Sequence, residues 1–210
     1  MTRPARNTSG TGRIRGSGTL RIIGGQWRRR TLAIAPVEGL RPTPDRVRET
    51  LFNWLGQYLD GLHCLDLFAG SGALGLEAAS RGAAQVTLVE NDPTAMRQLQ
   101  AHCETLAAGS TVRLLSGDAL HFLRDAQPEH AFDVVFLDPP YRLDLLPRCL
   151  DAVPRLLAAD ARVYVEDAAP LAPPAGWEVL REDRAGQVFY GLLKCSHPAS
   201  ASSIPAPSIR

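Results

Sequence analysis

The apolar run Val134-Val135-Phe136-Leu137 stops abruptly at Asp138-Pro139-Pro140-Tyr141. Those four residues together suit one chemistry, the alkylation of an amino group attached to a heterocyclic base. Such an amine is a poor nucleophile because its lone pair is delocalised into the ring. A carboxylate from Asp138 and a backbone carbonyl from Pro139 or Pro140 would accept its two N–H bonds, leaving nitrogen's remaining lobe to attack. Prolines fix φ and remove backbone donors, so the loop is stiff and presents acceptors. Tyr141 offers a face for the base, a stacking contact worth about 1–3 kcal/mol in single-stranded recognition. The plain alternative is a Pro-Pro turn leaving a strand. Acids at three other strand ends weigh against it.

The first of these acids is Asp66, in Leu65-Asp66-Leu67-Phe68-Ala69-Gly70-Ser71-Gly72-Ala73-Leu74-Gly75. A glycine-rich turn between strand and helix lets backbone approach a ligand closely, because glycine has no Cβ and tolerates positive φ. The letters also satisfy the G-x-G-x-x-G pattern of dinucleotide binding, a weak signal alone. Asp66 tips the balance: its carboxylate can accept from the ammonium of S-adenosylmethionine, whereas beside a pyrophosphate it would be repulsive. Glu90 closes the next strand, where its two oxygens suit ribose hydroxyls. Asp118 follows the third, either near an adenine edge or as a helix cap in Ser116-Gly117-Asp118. The cofactor-binding set is therefore Asp66, Phe68, Gly70, Ser71, Gly72, Glu90 and Asp118, and the catalytic set is Asp138, Pro139, Pro140 and Tyr141.

Positioning these groups requires parallel strands whose carboxyl ends share one edge. From residue 63 apolar strands alternate with helical stretches, the mark of a parallel sheet covered on both faces. Strands are predicted at 63–69, 85–90, 111–116, 132–138 and 161–166, with helices near 73–81, 93–107, 118–125 and 143–157. Asp92-Pro93 and Asp118 look like helix starts. Two strand-like runs, Trp177 to Arg181 and Gln187 to Lys194, flank Asp183-Arg184-Ala185-Gly186 and form a terminal hairpin. The expected fold class is α/β: a Rossmann-like methyltransferase fold with a mostly parallel seven-stranded sheet and a terminal antiparallel β-hairpin. Ahead of it, Thr19 to Ala35 reads as a β-hairpin turning at Gly24-Gly25. Thr43-Pro44-Asp45 then reads as cap, first-turn proline and first-turn acid of a helix. That helix would bury Val47, Leu51, Trp54, Leu55, Tyr58 and Leu59 and leave Arg46, Arg48 and Asn53 on other sectors.

The formal net charge of +1 conceals an asymmetry. Residues 1–48 hold 11 Arg against Glu38 and Asp45, a charge of +9, and the remainder holds 12 basic and 20 acidic residues, a charge of −8. An Arg-rich arm on an acidic body suits a polyanionic partner. Arg28, Arg30, Arg41 and Arg46 are the candidate RNA-binding residues. Residues 1–18 and 198–210 lack apolar periodicity and are expected to be disordered. The organisation is then a basic arm at 1–18, an RNA-binding hairpin and helix at 19–60, a methyltransferase domain at 61–197 and a tail at 198–210. Apolar runs are too short to span a bilayer, and the basic N-terminus lacks a signal-peptide core, so no membrane partner and a cytoplasmic location are expected. Cys64, Cys103, Cys149 and Cys195 have no metal-site spacing and read as reduced thiols without a metal.

With these segments in place, the chain resembles the RsmD family of bacterial 16S ribosomal RNA guanine-N2 methyltransferases, from about Leu20 to Lys194. The resemblance rests on Arg21-Ile22-Ile23-Gly24-Gly25-Gln26-Trp27-Arg28, on Gly39-Leu40-Arg41-Pro42-Thr43-Pro44-Asp45-Arg46-Val47-Arg48-Glu49, on Asp66 to Leu76, on Glu90 and on Asp138 to Tyr141. The second segment is the most family-specific. Arg29 departs from the pattern, standing where the family commonly has Gly. The resemblance implies S-adenosylmethionine as cofactor and, as substrate, N2 of a guanine (position 966 type) in 16S rRNA of the small subunit or its assembly intermediate. A DNA adenine-N6 methyltransferase would use the same Asp-Pro-Pro-Tyr, and a nucleic-acid-binding module with a vestigial cofactor site is a further alternative. A nicotinamide oxidoreductase is disfavoured by the Pro-Pro loop and terminal hairpin.

Overall fold

Apolar side chains at every second residue let one strand supply both cores of a layered fold. Val86, Leu88, Val134, Phe136 and Tyr164 join the core on one face of the sheet, while Leu65, Val89, Val135, Leu137 and Val163 join the core on the other. The computed structural model describes residues 18–34 and 43–196. Their strands and helices run in the order β1 (Gly18–Arg21), β2 (Thr31–Ile34), α1 (Asp45–Leu55), β3 (His63–Asp66), α2 (Gly75–Ser80), β4 (Gln85–Glu90), α3 (Pro93–Leu106), β5 (Val112–Ser116), α4 (Ala119–Asp125), β6 (Phe132–Leu137), α5 (Leu146–Ala152), β7 (Leu157–Asp167), β8 (Trp177–Ala185) and β9 (Val188–Cys195). Seven strands form one sheet in the order β5-β4-β3-β6-β7-β9-β8. The first five are parallel; β9 runs antiparallel between β7 and β8. The expected sheet and its terminal hairpin are both present.

Strand order reverses between β3 and β6, so the crevice outside their carboxyl ends is where a ligand binds in such folds. Leaving β3 the chain goes outward through β4 and β5; from β6 it goes the other way. Local chemistry starts two helices where expected: Asp92 accepts from the amides of Thr94 and Ala95 at 2.8 Å, and Asp118 accepts from His121 at 2.9 Å. Strand β3 ends at Asp66, three residues before the expected 69, and three stretches depart by four residues or more. The stretch predicted as one helix over 143–157 breaks into a 3-10 turn at Tyr141–Leu143, α5, and a second 3-10 turn at Val153–Leu156, because Pro147 and Pro154 each remove a backbone donor. Strand β7 begins at Leu157, four residues early. Strand β8 runs on to Ala185, with a register shift between Val179 and Arg181.

The first hairpin and α1 share the core of the sheet: Leu20, Ile22, Leu32, Ile34, Val47, Leu51 and Phe52 belong to the same apolar cluster as Val134 and Phe136. Gly18, assigned to the arm, pairs with Ile34. Gly24-Gly25 is not the tight turn expected, since β1 and β2 are joined by residues 22–30. Its role is close approach: a Cβ on Gly25 would sit 1.7 Å from the Ser80 carbonyl oxygen. The helical sector of α1 also differs. Tyr58 lies beyond the helix and is 78% exposed, whereas Arg48 is buried at 1%.

Arg29 adopts φ 70°, the left-handed conformation that explains why glycine suits this position. That backbone costs a non-glycine residue about 1–2 kcal/mol, partly offset by the roughly 0.5–1 kcal/mol of extra freedom glycine loses on folding. Arg29→Gly is expected to be neutral to about 1 kcal/mol stabilising in urea denaturation. A clear destabilisation would show that the Arg29 side chain holds the turn.

Candidate active site at the carboxyl ends of the strands

The strand registers bring the acids of distant segments to one edge. Asp66 is opposite Leu88 on β4 and Phe136 on β6, and Glu90 is opposite Ser116 on β5. Leu137 is opposite Val165, so Asp138 and Glu166 follow side by side on adjacent parallel strands. Asp66 is 3% exposed. Its Oδ2 accepts the Gly75 amide at 3.0 Å, and the Phe68 amide donates to it as well. Burial outweighs these bonds and, with Glu90 nearby, pushes the Asp66 carboxyl up to about 7. Gly70 and Gly72 hold φ 51° and 80°, and a Cβ on Gly72 would press to 2.8 Å on Leu76 and Leu99. Ser71 between them is buried and Phe68 is half-buried.

Glu90 is fixed by two backbone amides: Gly70 N–H donates to its Oε2 and Asp92 N–H to its Oε1, both at 2.7 Å. Each oxygen keeps a lone pair, so the carboxylate is rigid and still able to accept. These residues fit S-adenosylmethionine on two observations. A buried carboxylate short of a cationic partner suits an ammonium, and a second carboxylate, held rigid by two amides with lone pairs to spare, suits hydroxyls. The sign of the pH dependence follows. Below pH 7 Asp66 is protonated and cannot pair with an ammonium, so cofactor affinity should fall about tenfold per pH unit below 7 and level off above it. Binding near pH 7 should release a proton, measurable by calorimetry in buffers of different ionisation enthalpy. Equal affinity at pH 6 and 8 without proton release would separate Asp66 from the cofactor.

Asp138 begins the loop that leaves β6. Burial and the carboxylates of Glu166 and Asp66 all push its pKa well up. Pro139 is buried, Pro140 is exposed, and Tyr141 is 41% exposed, opening the 3-10 turn that ends at Asp144 with φ 46°. Tyr141 hydroxyl donates to Glu166 Oε2 at 3.3 Å and Tyr164 hydroxyl to Oε1 at 2.8 Å. The buried Thr43 side chain also lies near Glu166. It makes no capping hydrogen bond to α1, whose first residue is Asp45. Glu166 escaped the sequence reading, although an acid closing an apolar strand is the same signal that marked Glu90.

Asp118 serves as the cap of α4 and lines a cavity of about 540 Å³ that runs under α4 across β4 and β5 to His63 and His130. Asp66, Glu90 and Asp138 lie outside that cavity. The four arginines are not brought together. Arg46 is exposed on the first turn of α1, near Asp183, beside the mouth. Arg28 and Arg30 sit where the hairpin meets the carboxyl ends of α2 and α3: Trp27 N–H donates to Ser80 Oγ at 2.9 Å and Arg30 Nη1 to the Thr105 carbonyl at 3.0 Å. Helices that follow parallel strands run back to their amino ends, so this is the opposite edge from Asp138. The loop that joins β1 and β2 is thus docked away from the mouth. Arg41 lies outside the described residues. Among those residues, no three His, Cys, Asp or Glu are grouped to hold a metal, the four cysteines are free, and no helix is long and apolar enough to cross a membrane.

Comparison with known proteins agrees with this architecture. The family described as "Conserved hypothetical protein 95" matches residues 20–194. Ribosomal RNA small subunit methyltransferase D of Escherichia coli is 48% identical over 185 residues, which cover 85% of this chain and 91% of that protein. Its namesake in Haemophilus influenzae is 44% identical, covering 84% and 94%. A solved structure from Escherichia coli, 49% identical, superposes with a TM-score of 0.74 over 85% of this chain and 98% of that one. A precorrin-6y C5,15-methyltransferase from Geobacter metallireducens, only 18% identical, shares the fold at a TM-score of 0.60 over 76% of this chain and 91% of that one. On the family match and on the identity to its relatives, the chain belongs to the conserved hypothetical protein 95 family, the RsmD family of methyltransferases with a Rossmann-like fold.

Proposed function

We propose that the chain methylates the exocyclic N2 of a guanine in 16S rRNA, the position-966 type, in the small ribosomal subunit or its assembly intermediate, with S-adenosylmethionine as methyl donor. The observation that carries this reading is the placement of Asp138-Pro139-Pro140-Tyr141 at the crevice where strand order reverses, beside the Asp66 and Glu90 carboxylates. When bound, the cofactor supplies a methyl group on a positively charged sulfur. Asp66 would hold its ammonium and Glu90 its ribose, with Phe68, Gly70, Ser71 and Gly72 forming the cradle and Asp118 standing at the adenine end. Asp138 and a proline carbonyl would accept the two N–H bonds of the amine, and Tyr141 would stack on the base. Arg46, at the mouth, is the arginine best placed for a phosphate near the target. Arg28 and Arg30 would reach RNA only at the far edge, and Arg41 remains a candidate on sequence alone. A cytoplasmic site of action belongs to the same proposal.

The test is transfer of labelled methyl from S-adenosylmethionine to small subunits isolated from a strain lacking the corresponding gene, followed by nucleoside analysis. N2-methylguanosine is expected. Label recovered in N6-methyladenosine, or transfer to DNA in preference to subunits, would favour the adenine-N6 alternative, which uses the same loop. In parallel, Arg46→Ala should weaken subunit binding and lower the log–log salt slope by about 0.7–0.9, with cofactor binding intact.

A further inference from the structure

Glu166 is a carboxylate set into the catalytic edge that the amine-orienting role of Asp138 does not use. It is 4% exposed and stands beside Asp138 on the neighbouring strand. Glu166 keeps the alternation of Tyr164 and so projects to the face of the sheet that holds Phe136, and its carboxylate is close enough to that of Asp138 for the two to repel. Two hydroxyl groups, those of Tyr141 and Tyr164, converge on it, and the Thr43 side chain lies near. A group surrounded by hydroxyl donors is held as an acceptor. The bonds are unequal. Tyr164, in the core, donates at 2.8 Å. The Tyr141 bond is 3.3 Å, long against the usual value of about 2.7–2.8 Å, and it belongs to the exposed loop that would meet a base.

We infer that Glu166 is the residue that selects guanine, by accepting the N1–H that lies next to the N2 amine on the same edge of the base. This rests on the guanine-N2 reading above. With N2 held by Asp138 and a proline carbonyl, the adjacent N1–H reaches the carboxylate on the next strand. It displaces the weakly bound Tyr141 hydroxyl from Oε2 and frees that ring to stack. Adenine cannot do this. Beside its amine is an unprotonated ring nitrogen, whose lone pair would face the Glu166 carboxylate.

The test uses 2-aminopurine, which keeps the amine at C2 but has no hydrogen on N1. Small subunits are reconstituted with 16S rRNA carrying either guanine or 2-aminopurine at the methylated position, and single-turnover transfer is measured for wild type, Glu166→Ala and the near-isosteric Glu166→Gln. Wild type should act on 2-aminopurine about 10- to 100-fold more slowly, the loss expected for one hydrogen bond to a charged group. Glu166→Ala should lose most of that difference and Glu166→Gln, whose amide oxygen still accepts but carries no charge, only part of it, while cofactor affinity measured by calorimetry stays within a few-fold of wild type and reports on folding. Contributions of the guanine O6 are common to all three proteins and cancel in the ratio. If wild type makes N2-methylguanosine and Glu166→Ala, folded and cofactor-binding, keeps the full discrimination against 2-aminopurine, Glu166 does not read N1. If wild type makes no N2-methylguanosine, the guanine-N2 reading itself is wrong, and the inference falls with it.

Discussion

Asp138→Ala is expected to slow methyl transfer by about two to three orders of magnitude, the scale found when one oriented partner of a developing charge is removed. Cofactor affinity should hardly change. Asp66 and Glu90 are the acids proposed to hold the cofactor, whereas Asp138 opens the loop proposed to carry the base. The amine gains positive charge as it attacks, so a carboxylate both orients it and stabilises what it becomes. Asp138→Asn should keep part of the activity, because an amide oxygen still accepts but carries no full charge. The pH profile offers a second check. Burial and the neighbouring acids Glu166 and Asp66 raise the Asp138 pKa, and only the ionised form does this work. At saturating cofactor the rate should therefore rise with pH well beyond the range where an ordinary Asp is already ionised. Single-turnover rates with labelled methyl, beside calorimetry of cofactor binding, measure both. A fully active Asp138→Ala protein would remove this residue from the mechanism.

Glu77→Ala should have the largest effect on stability. Glu77 is fully buried, and its carboxylate is the meeting point of three segments. Ile23 and Gly24 donate backbone amides to it at 2.8 and 2.7 Å, Arg81 donates Nε at 2.8 Å, and Arg48 approaches at 3.4 Å. Arg48 is steadied further by Asp45 Oδ1 at 2.6 Å and the Arg21 carbonyl at 2.8 Å, and Arg81 lies over the Phe52 ring, 4.6 Å from its centre. Removing Glu77 leaves two backbone amides without their acceptor and the buried Arg81 without its carboxylate, while Arg48 keeps Asp45. Breaking a buried pair this way costs about 3–5 kcal/mol, a large part of the roughly 5–15 kcal/mol that holds a domain folded. Glu77→Gln should cost less, since it keeps the shape and loses the charge. Urea denaturation measures both, and a Glu77→Ala protein within 1 kcal/mol of wild type would show that the network is dispensable.

This network marks the boundary of what the sequence shows. Arg48 lies in the segment most specific to the family, and helical periodicity put it away from the apolar face of α1. It is buried nonetheless, because its partner Glu77 lies 29 positions later on α2. Glu77 itself looks like an ordinary surface acid of a short helix. Burial of a charge depends on which opposite charge the fold brings to it, and local spacing contains no record of that.

The sequence by itself determined most of the elements and named the candidate residues for the chemistry. Period-two apolar runs set the strands, Asp92 and Asp118 set two helix starts, and acids or Asp-Pro-Pro-Tyr at strand ends marked Asp66, Glu90 and Asp138. Each of these signals is local, a side chain or turn acting on its own neighbours. Tertiary structure alone decided the rest. Strand order placed Asp66 and Asp138 across one crevice and set Glu166 beside Asp138. Docking of the hairpin on Ser80 carried Arg28 and Arg30 to the far edge while leaving Thr43 and Arg46 at the mouth. These outcomes depend on pairings between residues tens of positions apart, whose free energy comes from shared burial and from hydrogen bonds that only the assembled sheet can offer.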